Sequence, residues 1–133
     1  MHPTAGDDLS VTFLGVATLH VDDGRHALLT DGFFSRPGLI DVGLRAIAPN
    51  ETRIDACLAR ANVTTVEAVM PVHTHFDHGM DSAVVAAKTG AKLVGGRSAA
   101  MLGSTLPADR VVVAGSGEVD AVDAPDAPLG IRQ

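Results

Sequence analysis

The chain has 133 residues, of which 46% are hydrophobic and 20% are charged, and its formal net charge at pH 7 is −6. This composition is typical of one packed globular domain and excludes a disordered chain. The acidic balance and the scattered basic residues argue against a phosphate-binding surface, and no apolar stretch is long enough to span a membrane. We therefore expect no nucleic-acid partner and no membrane partner.

The N-terminal segment and the cysteine content indicate a compartment. Residues 1–8 are polar and acidic, without the basic start and apolar stretch of a secretory signal. Cys57 is the only cysteine, so it cannot form an internal disulfide. Its place among apolar helix positions predicts a small buried side chain and not a nucleophile. Together these features predict a cytoplasmic protein.

The first half of the chain predicts a hairpin, a loop and a helix. Apolar residues alternate over residues 11–21, which predicts one strand, and the Asp-Gly turn at residues 22–24 leads to a returning strand at residues 26–30. Residues 33–49 are interrupted by proline and glycine and predict a partly ordered loop. Asn50 is the expected cap of a helix. Its buried face would carry Ile54, Cys57, Leu58 and Ala61, with Asn62 at its end.

The second half alternates strands and helices. An apolar strand at residues 66–72 is expected to lie at an edge or to end near Pro71, which lacks a backbone donor. Asp81 or Ser82 then caps a helix that ends at Gly90. A strand at residues 91–94, a helix at residues 98–102 and a last strand at residues 110–114 follow. This alternation predicts an α/β protein with helices covering a sheet.

Three of the six histidines lie within six residues, directly after the strand at residues 66–72. A loop at the carboxyl end of a strand lets the His73 and His75 imidazoles converge on one cation, while Asp77 and His78 face a second. These nitrogen and oxygen ligands suit zinc and permit iron or manganese. An open set without cysteine favours catalysis, specifically hydrolysis by a metal pair. A purely structural metal site, or a surface loop with coincidental histidines, is the alternative.

The sequence His73-Thr74-His75-Phe76-Asp77-His78 has the pattern H-x-H-x-D-H, which is the signature of the metallo-β-lactamase superfamily. The chain resembles that superfamily, in its general bacterial branch of metal-dependent hydrolases, also at Asp31-Gly32, at residues 66–72 and 79–82, and at residues 89–95. The resemblance implies an α/β (α+β) fold, namely the first half of an αββα sandwich with a mixed sheet flanked by helices. We expect one partial domain over residues 1–133, with residues 1–10 disordered and residues 119–133 a loosely ordered tail.

The resemblance also implies the roles of the site residues. His73 and His75 would bind the first metal, and Asp77 and His78 the second, with Asp77 also serving catalysis by orienting the nucleophilic hydroxide. Two zinc ions are the expected cofactors, with iron or manganese as alternatives. The implied reaction is hydrolysis of an ester, lactone, amide or phosphodiester in a small-molecule substrate by a metal-bound hydroxide. Asp31 would support the metal loop by hydrogen bonding, or else simply form a turn before Gly32.

The sequence departs from the family pattern after His78, because no histidine follows it. The family needs further ligands downstream, and the earlier His20 and His26 are expected at a polar hairpin end. We therefore expect an N-terminal portion truncated before the remaining ligands: a fragment, a truncated gene or one piece of a split enzyme. We do not expect activity from this chain alone. The alternative is a non-catalytic metal-binding or interaction module, or a degenerate gene product. An exposed sheet face would promote self-association.

Overall fold

The computed structural model describes residues 9–35, 37, 48–72, 79–115, 119–124 and 127–132. In chain order the main elements are β1 (Ser10–Gly15), β2 (Thr18–Asp22), β3 (Ala27–Thr30), α1 (Glu51–Arg60), β4 (Ala68–Met70), α2 (Ser82–Thr89), β5 (Lys92–Gly95), α3 (Arg97–Leu102) and β6 (Val111–Val113). Short 3-10 turns at Gly103–Thr105 and Ala108–Arg110 connect α3 to β6. Among these residues, no helix is long and apolar enough to cross a membrane.

Strands β1 to β6 form one mixed sheet in sequence order. The pairs β1–β2 and β2–β3 are antiparallel, whereas β3–β4, β4–β5 and β5–β6 are parallel. This arrangement confirms the predicted mixed sheet and the parallel strands expected from alternating strands and helices. The carboxyl ends of β3, β4, β5 and β6 therefore meet at one edge of the sheet, called here the carboxyl edge.

The single strand predicted at residues 11–21 is wrong, because the structure forms the hairpin β1–β2 there. The chain reverses at Gly15 and Val16, whose φ angles are +103° and +53°. Val11 pairs with Val21 and Phe13 with Leu19, so odd-numbered residues face the same side before and after the turn. A hairpin with this register keeps the alternation of one continuous strand, which is why periodicity alone did not reveal the turn.

The other predicted helices and strands are confirmed with small shifts of their ends, whereas most of the loop predicted at residues 33–49 and most of the N-terminal residues 1–10 lie outside the described residues. Pro71 directly follows β4, so its missing donor falls outside the ladder, and β4 lies between β3 and β5 instead of at an edge. The strand expected to be the last, β6, is followed by two strands that the sequence analysis did not predict. They are β7 (Val119–Ala124) and β8 (Ala127–Arg132), an antiparallel pair within the predicted tail.

The main core lies between one face of the sheet and helices α1 and α2. Its strand residues are Leu29, Val69 and Leu93, and its helix residues include Ile54, Leu58, Val85 and Ala86. The predicted cap of α1 is confirmed, since the Asn50 side chain accepts a hydrogen bond from the Arg53 N–H at 3.0 Å. The core residues of both helices pack on this one face, as expected for the first half of an αββα sandwich.

The opposite face of the sheet, called here the second face, follows from the strand register. Val11 of β1 pairs with Val21, which pairs with Leu28, which in turn pairs with Ala68 of β4. At β4 this face is buried, because Ala68 is 0% exposed. At β1 it is open, because Val11 is 58% and Phe13 66% exposed. The described residues thus leave an apolar strip at the β1 edge, with Leu9 beside it, also exposed.

A glycine pair at the end of β5 gives a direct test of packing between the sheet and α3. A Cβ placed on Gly95 would lie 2.6 Å from the Ala99 Cβ of α3, whereas one on Gly96 would meet nothing within 4 Å. Because the Ala99 Cβ is fixed to the helix backbone, Gly95→Ala must displace α3 and should cost about 1–3 kcal/mol. Urea unfolding should show this loss for Gly95→Ala and almost none for Gly96→Ala. Equal stability of the two variants would contradict the packing described.

Candidate metal centre

Three loops leave the carboxyl edge of the sheet side by side. Asp31 follows β3, Val72 lies two residues after β4, and Gly96 follows β5. In open sheets with parallel strands, this edge is where ligands commonly bind. Residues 73–78 begin directly after Val72 and lie outside the described residues. The predicted metal ligands His73, His75, Asp77 and His78 therefore stay predictions, and the structure informs only on the segments that hold them.

Asp31 fixes the chain just before the predicted metal loop. It is 0% exposed, and its Oδ1 accepts a hydrogen bond from the Val72 N–H at 2.6 Å. Its own N–H donates to the Met70 carbonyl at 3.0 Å. Its φ of +52° lies in the left-handed region, which aspartate tolerates better than most residues. Asp31 forms the expected turn before Gly32, whose N–H donates to the Thr30 carbonyl at 2.6 Å, whereas its support of residues 73–78 stays a prediction.

Asp81 fixes the chain just after the loop, in a way that the sequence analysis missed. It stands at the N-cap position of α2, but its side chain makes no capping hydrogen bond. Asp81 is thus the N-cap residue, one of the two predicted alternatives, but it does not cap the helix through its side chain. Its buried carboxylate instead accepts from the Phe34 N–H at 2.7 Å, the Ser35 N–H at 2.5 Å and the Ser35 Oγ at 2.7 Å. The Asp81 side chain contacts residues far away in the sequence and not its own helix, so local sequence patterns do not reveal this role.

Ser82 joins the two fixed points. Its Oγ donates to the Asp31 carbonyl at 2.5 Å, and the residue is 0% exposed. Asp31 thus contacts the chain on both sides of the predicted metal loop, at Val72 and at Ser82. Ser82 was expected as an alternative helix cap, and nothing in the sequence indicates that it bonds the Asp31 carbonyl instead.

The residue types within 73–78 suit a divalent cation. Three imidazoles and one carboxylate in six residues are the nitrogen and oxygen donors that zinc, iron or manganese accept. The residues on either side, Val72 and Asp81, are both hydrogen-bonded to other parts of the chain, although Val72 is exposed and Asp81 is buried. Within the part of the chain that the structure describes, no group of three or more His, Cys, Asp or Glu could hold a metal ion. The assignment of metal ligands to residues 73–78 stays a prediction.

A polar pocket of about 290 Å³ lies at the other edge of the sheet. His20 and His26 line it together with Glu67, which directly precedes β4. The His26 Nδ1 lies 2.6 Å from Glu67 Oε1, and this contact raises the pKa of His26 above its ordinary value, chiefly through the hydrogen bond. His26 is thus part of a polar hairpin end, as expected, on the side of the sheet away from the loop after β4.

A mixed sheet with core helices on one face, in which Asp31 holds the chain just after β4, defines a partial α/β fold. A solved structure with a similar fold is that of Igni18, a novel metallo hydrolase from the hyperthermophilic archaeon Ignicoccus hospitalis KIN4/I. The TM-score is 0.54 at 20% sequence identity, over 84% of this chain and 42% of Igni18. The chain thus spans less than half the length of that protein. No protein-family model matches the chain, and neither does a curated protein. The likeness confirms the predicted fold.

Substitutions at Asp31 should separate its backbone conformation from its acceptor role. Asp31→Asn retains an acceptor oxygen for the Val72 N–H and tolerates the left-handed φ, so it should cost less than about 1.5 kcal/mol. Asp31→Ala loses both the acceptor oxygen and the tolerance of a left-handed φ, so it should cost about 2–4 kcal/mol. Chemical unfolding of the two variants measures the difference. An alanine variant as stable as the asparagine variant would show that the Val72 contact contributes nothing.

The His26–Glu67 pair predicts a pH dependence of stability. Because the folded-state pKa of His26 is raised above 6.5, its stabilisation is complete below that pH and is lost as pH rises through the folded pKa. Asp23 and Arg25 are the other charged groups that act on His26, and Asp23 acts in the same sense as Glu67. Urea unfolding of the wild type should therefore show stability falling between about pH 6 and pH 8. Glu67→Gln should flatten this profile, and an unchanged profile would contradict the assignment.

Proposed function

We propose that the chain carries part of the active centre of a metal-dependent hydrolase, with the ligands on residues 73–78. His73 and His75 would hold one zinc ion, and Asp77 and His78 a second. One observation carries the proposal: the loop with the H-x-H-x-D-H pattern starts from the carboxyl edge of the parallel strands, where Asp31 Oδ1 holds the Val72 N–H at 2.6 Å. The metallo-hydrolase fold of Igni18 gives further support.

The residues of the loop would share the chemical work with the metals. When bound, the cation pair would supply Lewis-acid activation of water and of a carbonyl or phosphoryl oxygen. The Asp77 carboxylate would orient the attacking water by accepting one of its hydrogen bonds. The imidazoles of His73, His75 and His78 would stay neutral and serve as donors. The proposed substrates are small esters, lactones, amides or phosphodiesters, in which water adds its oxygen to carbon or phosphorus and protonates the leaving group.

Four donors shared by two cations leave both cations short of ligands. Further donors must come from residues other than 73–78, and the described residues contain no second cluster that could provide them. No histidine follows His78 in the sequence. This supports weak metal binding by the chain alone, and hydrolysis is proposed for a centre that further ligands complete. The cytoplasmic location stays a prediction.

Zinc binding by the purified chain tests the ligand assignment. Competition with a chromophoric chelator should show less than one tightly bound equivalent in the wild type, because the ligand set is incomplete. His75→Ala should weaken the remaining affinity by roughly tenfold or more, since one first-sphere imidazole is lost. His20→Ala is the matched control, because His20 lines the polar pocket away from the loop. Equal affinity of wild type and His75→Ala would refute the assignment.

The same preparations test hydrolysis. Chromogenic acetate, lactone and phosphodiester probes should show no turnover above the metal-free background with the chain alone. If turnover appears, it should disappear in Asp77→Ala while circular dichroism remains that of the wild type. Turnover that persists in Asp77→Ala would contradict the proposed role of that carboxylate.

The second face of the sheet is exposed at β1, the outermost strand. This supports a second proposal, self-association of the chain through that face. The side chains of Leu9, Val11 and Phe13 are 65%, 58% and 66% exposed, and β1 carries no charged residue that would oppose contact. A second copy of the chain offers the same uncharged edge, so two copies can meet in a symmetric contact. This is the alternative function of an interaction module.

Sedimentation velocity across a concentration series tests this self-association. The wild type should sediment faster as concentration rises, because exposed apolar surface is removed from water on association. Phe13→Lys should abolish this dependence, whereas Thr12→Lys adds the same charge to the same strand on its other side and should retain it. A wild type that is monomeric at every concentration would overturn the proposal.

A further inference from the structure

A groove of about 380 Å³ lies between β1 and α1, on the face of the sheet that carries the main core. It is called here the β1–α1 groove. Its apolar lining comes from Leu14 of β1, from Phe34 after β3, and from Cys57 and Ala61 at α1. Phe34 is 1% exposed and the other three are partly buried. The interior of the groove is therefore apolar.

Two arginines of α1, Arg53 and Arg60, complete the lining of the groove, and both are exposed. They lie four residues before and three residues after Cys57, a spacing that places all three on one side of a helix. The acidic residues of α1 point elsewhere, because Glu51 and Asp55 contact the Lys88 ammonium of α2 at 3.1 and 2.9 Å. Helix α1 thus presents its positive charge to the groove and its negative charge to α2.

Neither guanidinium has a carboxylate partner among the described residues. The ion pairs in that part of the chain are those of Lys88 and the contact between His26 and Glu67. Two unpaired cations beside one groove are unexpected in a chain with 16 acidic and ten basic residues. A guanidinium donates hydrogen bonds in a planar fork that matches the two oxygens of a carboxylate. The charge missing from the groove is therefore that of an anion.

We propose that the β1–α1 groove binds a small amphipathic carboxylate, namely a straight-chain fatty acid of medium length. Its carboxylate accepts hydrogen bonds from Arg53 and Arg60, and its alkyl chain packs against Leu14 and Phe34. The volume of the groove lies within the range of roughly 300–1,000 Å³ that is usual for small-molecule sites. This inference does not rest on the proposed function, because no residue of the groove is a predicted metal ligand.

The thiol of Cys57 reports whether the groove is occupied. It is free, partly buried and the only thiol of the chain, and it lies between the two arginines. N-ethylmaleimide is the reagent of choice for the full, metal-free chain, because it is uncharged and is not attracted by arginine. Octanoate that bound elsewhere, for example at Val11 and Phe13 on the second face, would leave the reaction of Cys57 unchanged.

Octanoate at pH 7 should slow the alkylation of Cys57 to a saturating limit. Across butyrate, hexanoate and octanoate, the concentration for half protection should fall roughly two- to fourfold for each added methylene, since each one buries apolar surface. Acetate lacks the alkyl chain and octanol lacks the charge, so neither should protect at the same concentrations. Protection by octanol equal to that by octanoate would refute the role of the arginines, and equal protection by acetate would refute the apolar interior.

The double variant Arg53→Gln/Arg60→Gln tests the charged groups directly. Its concentration for half protection by octanoate should rise roughly tenfold or more, because the carboxylate loses its charged donors. Arg25→Gln/Arg97→Gln is the matched control, because it removes the same charge from exposed positions outside the groove and should behave as the wild type. Equal protection of wild type and Arg53→Gln/Arg60→Gln would overturn the proposal. So would a wild type in which octanoate gives no protection, or in which Cys57 does not react at all and the groove thus admits no small molecule.

Discussion

The hydrogen bond from the Val72 N–H to the buried Asp31 carboxylate is the constraint on which this carboxyl edge depends. It connects the chain after β3 to the chain after β4 where the parallel ladder ends. Breaking it would remove a hydrogen bond from a carboxylate in the protein interior, which is costly. Asp31 makes this bond with its backbone at a left-handed φ of +52°. The packing around Asp31 therefore maintains a backbone conformation that is uncommon for residues other than glycine.

Polar side chains at the carboxyl edge of the sheet differ in burial and partners from those at the opposite ends of the same strands. At the carboxyl edge, Asp31 and Asp81 are fully buried and accept hydrogen bonds mainly from backbone N–H groups. At the other edge, His26 and Glu67 are partly exposed and contact each other. Buried carboxylates that accept from backbone N–H groups hold those groups in place, whereas the partly exposed His26–Glu67 pair responds to pH. The sheet thus combines a rigid edge suited to fixing ligands with an edge whose strength depends on solution conditions.

Local patterns in the sequence predict most of the helices and strands. The helix that begins after Asn50 follows from its cap and from the spacing of Ile54 and Leu58, because both are properties of neighbouring residues. The β1–β2 hairpin was predicted as one strand, because its register keeps apolar residues at alternate positions on both sides of the turn. The motif at residues 73–78 identifies candidate ligands by residue type. The role of Asp81 cannot be read from the sequence, since its partner Ser35 is 46 residues away and only the tertiary fold brings them together.

The long sequence separation of these contacts also has a consequence for how the chain folds. The bonds that fix the loop ends join residues 41, 46 and 51 positions apart, whereas the hairpin β2–β3 closes over a few residues. Contacts between distant residues form slowly, because closing long loops costs chain entropy. The histidines of residues 73–78 would thus remain untethered until β3, β4 and the start of α2 have assembled. Metal that arrives before that stage would meet a flexible cluster of imidazoles and could trap it in non-native coordination.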